Sequence, residues 1–540
     1  MPPVDPSLDY RHWRKDFASV FPAIHSSFYA YSNRAAVLQT IKDHGFKSFD
    51  QFNYLGDEGL FRYDAALYSA GVTDINVERS RVKDWPIWKR RADTTVISDS
   101  GGFQVYKGIW EPGEYHEKRA EILAWQEAIS DIAIAMDVPS GCVGSDAASS
   151  IETFDECLYW SKLNFEWQVK NRDPRKARML NVMQGISEDG PDGALRWYDE
   201  VKGYCDRSKW GDNAFDGWAF GGMAVRTSST ILRTIARMLQ DGFLGKETNQ
   251  RWIHMLGVTG IQDVVFFTLL QRALRKILGD EGFTVSCDAA SAHSNVGRRG
   301  TYYAEAADGF DNNRPVLNGN FFRFDSDDTP DFTQFVKDWA KDHPETLVFD
   351  AAWVQANMEL FGYDIDFSKG DITELEIGID VFEDNPGFLL AVHDYLVAIP
   401  EYKAFAAAQI ESKPGFMTDL WGLVTKSLQN WGSCALAEHL TLENYWNLVE
   451  EKPKKKGQNA QPDYGWDDDG DDDASGSRGR LTPMGYIVHT FISQEMYLRY
   501  TYEGAAAEIG QWASTADELA EALVSETPDT DLAKIRLPKR

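Results

Sequence analysis

The sequence is poor in cysteine, in basic residues and in long apolar runs. Its five cysteines, Cys142, Cys157, Cys205, Cys287 and Cys434, stand singly in a chain of 540 residues. No two form a CxxC pair, which argues against a zinc knuckle and against a disulfide scaffold, and for a reducing, cytoplasmic compartment. No run reaches the roughly 20 apolar residues of a membrane-spanning helix, so no membrane partner is expected. The start, "MPPVDPSLDYRHWRKDF", lacks the apolar stretch of a secretory signal. Cations are scarce: 55 Lys and Arg face 84 Asp and Glu, for a net charge of −29. That balance argues against simple binding of a polyanion over the whole surface. The imbalance is uneven. After residue 340, 36 acidic residues face 16 basic ones, so the first part of the chain can still present a basic face.

What is present is an ordinary globular composition, 43% hydrophobic and 26% charged. It suffices for a large core and more than one domain. Short apolar runs alternate with amphipathic stretches, a βα rhythm. Eight runs read as strands: "SSFYAYS", "AALYSAG", "TTVISDS", "IAIAMD", "MLNVMQG", "GWAFGG", "WIHMLGV" and "FTVSCD". Eight is the number a (β/α)8 barrel needs. The stretch "GIQDVVFFTLLQRALRKILGD" has helical apolar spacing and supplies the crossover before the last strand. Apart from this rhythm there is no internal repeat. The expected organisation is an N-terminal segment over 1–24, a barrel over 25–344, and a mainly helical, acidic region over 345–540. Within the last, about 450–480 is charged, Gly-rich and poor in apolar residues, and reads as a mobile loop.

The strand "TTVISDSGGFQVYKG" at 94–108 ends in an acid and paired glycines. Asp, Ser and Gly commonly terminate strands in plain turns. The same residues could also floor a pocket, with a carboxylate at the strand tip and Phe103 as a flat wall. The other strand ends carry Asp137, Gln184, Gly221-Gly222, Leu256-Gly257 and Asp288. A single strand-end acid often caps the next helix. Three acids and an amide at one end of a barrel are costly to bury without a ligand.

In this order the set resembles the guanine transglycosylase family, enzymes that exchange guanine in tRNA or DNA for a 7-deazaguanine. "ISDSGGFQV" matches that family's most specific motif. "NVMQGISEDG", "GWAFGGMAV" and "HMLGVTGIQDVV" resemble its next three segments, and "FTVSCDAASAHSNVGRRG" occupies the place of its catalytic strand. The resemblance spans roughly 25 to 305. It implies a TIM-like barrel, Asp288 as nucleophile and Asp99 as acid/base. Base binding would fall to Asp137, Gln184, Ser100, Phe103, Gly221, Gly222, Met223, Leu256 and Gly257. The letters "FDEC" at 154–157 also occur in a family motif, but they lie in a helical pattern. The base-binding carboxylate is therefore assigned to Asp137, and Asp155 to a helix surface.

Two departures bear on the polymer. No cysteine occurs between 287 and 434, so the zinc site of the tRNA enzymes is absent and no metal is expected. The segment after Asp288 is also rewritten. DNA is the expected partner, as in the phage and bacterial enzymes that place 7-deazaguanines such as preQ0 or preQ1 in DNA. The compartment would be the host cytoplasm if a phage encodes the chain. The alternatives are a tRNA enzyme with a replaced C-terminal region, and a non-catalytic partner subunit. Base exchange with retention needs no cofactor. Phosphate contacts are expected from Lys89, Arg90 and Arg91, from Lys176 and Arg178, and from Arg298 and Arg299.

Overall fold

The computed structural model describes residues 8–290, apart from 31, 33, 44, 146, 149, 186–190 and 259, together with 302–303, 316–317, 435–436 and 483–538. Its centre is a closed barrel of eight parallel strands: β1 Ser19–Ile24, β2 Ala65–Ser69, β3 Thr95–Asp99, β4 Ile132–Ile134, β5 Arg178–Met183, β6 Gly217–Phe220, β7 Trp252–Met255 and β8 Thr284–Ala289. Helices lie between the strands, as in a (β/α)8 barrel. Three of the longer ones are α1 Phe154–Asn171, α2 Ser228–Gln240 and α3 Ile261–Leu278. β1 pairs with β8, Phe21 opposite Asp288, and so closes the ring. β2 and β3 pair with Ser69 opposite Asp99. The strands read as continuous apolar runs because both faces are covered, one by the barrel interior and one by helices.

Seven of the eight expected strands lie where the sequence places them. The first does not. "SSFYAYS" begins a short helix, Ser26–Ala30, and the strand is the preceding "SVFPAI". Pro22 conceals it, because a proline inside an apolar run argues against a central strand. Pro22 sits in β1 opposite Ala289. The expected barrel boundary at residue 25 therefore moves to before Ser19.

The chain divides into two compact units. One comprises Met1–Leu38, Lys47–His293 and Tyr497–Arg540, and the other Gln39–Phe46 and Ser294–Met496. The last 44 residues thus belong with the barrel, not with a separate extension over 345–540. Their anchor is Tyr502. Its hydroxyl accepts from the Val20 backbone N–H (2.9 Å), meets the Tyr63 hydroxyl (2.8 Å), and its ring stacks on Trp13 at 5.5 Å. Further on, the helix Thr515–Leu523 packs against α3, with Lys276 paired to Asp517. The acidic loop at about 450–480 lies outside the described residues, as do most of 345–482. Among the described residues no helix is long and apolar enough to cross a membrane.

Candidate functional site

Parallel strands bring all their C-terminal ends to one rim of the barrel, and the acids singled out from the sequence arrive there. Asp99 is the last residue of β3. Its Oδ2 accepts from the Ser69 hydroxyl (2.8 Å) and from the Gly101 N–H (3.3 Å). Gly101 has φ +86°, a left-handed conformation that lets the chain turn back onto the carboxylate. Asp99 stays partly open at the rim. Enclosure by protein raises its pKa above the usual carboxylate range, and the charge of Asp288 adds to the rise. The Ser69 hydrogen bond opposes both.

Asp137 follows β4 and is buried. The Gln184 amide donates to its Oδ2 at 2.7 Å, while the Ser140 hydroxyl donates to the Gly185 carbonyl at 2.5 Å and lies 3.3 Å from Gln184 Oε1. A carboxylate only accepts, so the amide turns its nitrogen toward Asp137. Burial pushes the Asp137 carboxyl up to about 7, with Asp99 contributing and the Gln184 bond opposing. The paired glycines after β6 are explained by the same amide. A Cβ at Gly221 would lie 2.9 Å from Gln184 Nε2, and one at Gly222, where φ is +53°, would fall on Gln184 Oε1. These glycines admit the Gln184 side chain. Gly102 admits Asp137 itself, since a Cβ there would meet the Asp137 carbonyl at 2.9 Å.

Asp288 lies in β8, 7% exposed. Its Oδ1 accepts from the Gly257 N–H (3.0 Å) and faces His254 Nε2 (3.2 Å). Leu256 and Gly257 follow β7 at the rim. Phe103 stands on the short helix Gly102–Tyr106 and is 54% exposed, with Lys107 Nζ 5.6 Å from its ring centre. Ser100 behaves differently from expectation. Its hydroxyl is buried, donating to the Ala135 carbonyl (3.3 Å) and accepting from Tyr115 (2.9 Å). It braces β3 against the β4 end and offers a ligand no side-chain atom.

Lys89, Arg90 and Arg91 precede β3, so they sit at the opposite rim. Lys89 pairs with Asp50 (2.9 Å) and Arg90 with Asp131 (2.9 Å). Arg91 is buried and donates to the Tyr54, Gly56 and Tyr63 carbonyls. This corrects the expectation that they bind phosphate next to the site. A run of cations at the start of a strand cannot reach the strand's other end. Lys176 and Arg178 share that rim, Arg178 opening β5. Arg298, Arg299 and the Met223 side chain lie outside the described residues. Asp155 is on the surface of α1, paired with Arg196, while Thr153 and Glu156 form the capping box that starts the helix.

Sequence reasoning missed Ser69 and His254. Ser69 ends its strand just as Asp99 does, and strand-end position was the available signal. His254 shares a strand face with Trp252 by the two-residue period, and its register partner Ser286 shares one with Asp288. Among the described residues no three His, Cys, Asp or Glu side chains are placed to hold a metal ion. No protein-family model matches the chain, and no curated protein matches it either.

Proposed function

We propose that this barrel exchanges a guanine base in DNA for a 7-deazaguanine by double displacement at C1′. The observation that carries the reading is that three carboxylates from three strands reach one rim in three different settings. Asp288 is gripped through one oxygen, which leaves the other to attack. Asp99 has a raised pKa, as suits a group that gives and takes a proton. Asp137 is paired with an amide.

In the first step an Asp288 oxygen bonds to C1′ as the C1′–N9 bond breaks, and the base leaves with the bonding electrons and takes a proton from Asp99. In the second, the incoming base loses its proton to Asp99 and attacks C1′, and Asp288 departs as a carboxylate. Two inversions retain the stereochemistry. Asp137 accepts from the N1–H and N2 amino groups of guanine, and Gln184 sits beside it to donate to O6. Phe103, exposed at the rim, offers a stacking face. A base reaching this rim must leave its stack, so the nucleotide is flipped or single-stranded.

The DNA assignment rests on the missing zinc cysteines and on the rewritten segment after Asp288. The test is incubation with labelled guanine and either duplex DNA or tRNA. Label entering DNA with wild type and not with Asp288→Ala is the expected result. Label entering tRNA alone would reassign the polymer, and label entering neither would overturn the activity.

A further inference from the structure

The grip on Asp288 continues into the barrel wall. Trp252 Nε1 lies 2.7 Å from Ser286 Oγ, Ser286 Oγ lies 2.8 Å from His254 Nδ1, and His254 Nε2 lies 3.2 Å from Asp288 Oδ1. His254 and Ser286 are fully buried. Phe21, which pairs with Asp288 across the β1–β8 seam, sets its ring edge-on to the imidazole at 5.9 Å and 88°. An indole N–H only donates, so Ser286 Oγ accepts from Trp252. The single hydroxyl proton then has two acceptors, His254 Nδ1 at 2.8 Å and the Ile253 carbonyl at 3.5 Å, and the nearer one is Nδ1. With Nδ1 accepting, the ring proton sits on Nε2 and points at Asp288.

We infer that Trp252, Ser286 and His254 form a one-way hydrogen-bonded chain that makes His254 the positioning residue of Asp288, holding Oδ1 and presenting Oδ2 to the substrate sugar. The inference rests on the reading of Asp288 as nucleophile. No hydrogen bond to Oδ2 is made among the described residues. The chain has an asymmetric consequence. When the ester forms through Oδ2, Oδ1 becomes its carbonyl oxygen. When C1′–Oδ2 breaks, the electron pair returns to the carboxylate and spreads onto Oδ1, where the His254 and Gly257 N–H groups receive it. His254 therefore assists release of the sugar more than attack on it.

The experiment compares His254→Asn with His254→Gln. The Asn amide reaches the Nδ1 position and keeps Ser286 but donates nothing to Asp288, whereas the Gln amide reaches the Nε2 position. His254→Asn is expected to slow exchange on the order of a hundredfold. It should also raise the fraction of enzyme trapped as a denaturation-stable polynucleotide adduct, and His254→Gln should recover much of the rate. Equal losses in both variants with no change in adduct fraction would overturn the inference, because a merely structural histidine behaves that way. A second readout needs no activity. Nitrogen-15 histidine spectra, with His254 assigned by its loss in His254→Asn, should place the proton on Nε2 in the wild type. Ser286→Ala should disturb that tautomer. A proton on Nδ1 in the wild type would overturn the chain even if exchange proceeds. Absence of any wild-type adduct would sink the proposed activity while the spectra still judge the chain.

Discussion

At the scale of single residues, the site is governed by where a charge can be held. Asp137 is forced to choose between its proton and its ligand. A carboxyl pushed up to about 7 is largely neutral at pH 6, and then it cannot accept from both donors of guanine. The apparent KM for the base is expected to rise as pH falls below about 7, approaching about tenfold per unit. A KM flat from pH 8 to 5.5 would contradict the assignment. The same shift has a sign in stability. Between the ordinary carboxylate range and about 7 the folded chain holds a proton that the unfolded chain has lost, so stability falls as pH rises through this window. Asp137→Asn removes that cost, at most about 4 kcal/mol. The variant should melt higher than wild type at pH 8 and bind no guanine. A lower melting temperature would show that the carboxylate is structurally required. Asp99, Asp137, Gln184 and Asp288 were legible in the sequence because strand ends are legible. The direction in which each side chain is held was not, because it depends on partners such as Ser69 and His254 on neighbouring strands.

At the scale of elements, the barrel explains why glycines sit where they do. The β6–α2 turn approaches the end of β5 so closely that only backbone fits beside Gln184. Gly222→Ala is expected to lose about 1–3 kcal/mol from the left-handed φ and the collision together. It should also abolish base binding by displacing the amide, as thermal melting and guanine binding would show. Retained binding would mean that the amide is not oriented by this contact. Short apolar runs between helically spaced stretches revealed β2 to β8, since burial on both faces leaves an unbroken apolar signature. They failed at β1, where Pro22 interrupts the pattern and a neighbouring Ser- and Tyr-rich run imitates a strand. They failed also for Lys89, Arg90 and Arg91. A cluster of cations reads as a surface for phosphate, yet its place before β3 puts it on the rim away from the carboxylates, and Arg91 is spent on three carbonyls.

At the scale of the whole molecule, the barrel unit is completed by residues far along the chain. The hydroxyl of Tyr502 joins Val20 and Tyr63 inside the unit, some 480 positions from its partner in sequence. Contacts at such separation leave no local pattern, which is why the boundary expected at residue 345 did not foresee them. Tyr502→Phe is expected to cost about 1–3 kcal/mol in denaturant unfolding, since it strands a buried N–H. An unchanged midpoint would show that the closing segment contributes little to the barrel. The central claim is that this rim exchanges guanine in DNA, and it is tested most directly on nucleosides. The full chain, or its Asp288→Ala variant, is co-expressed with a 7-deazaguanine supply, and plasmid DNA and total tRNA are digested and analysed by mass spectrometry. A 7-deazaguanine deoxynucleoside that appears with wild type and vanishes with Asp288→Ala is the expected result. Modification confined to tRNA, or present with Asp288→Ala, would contradict it.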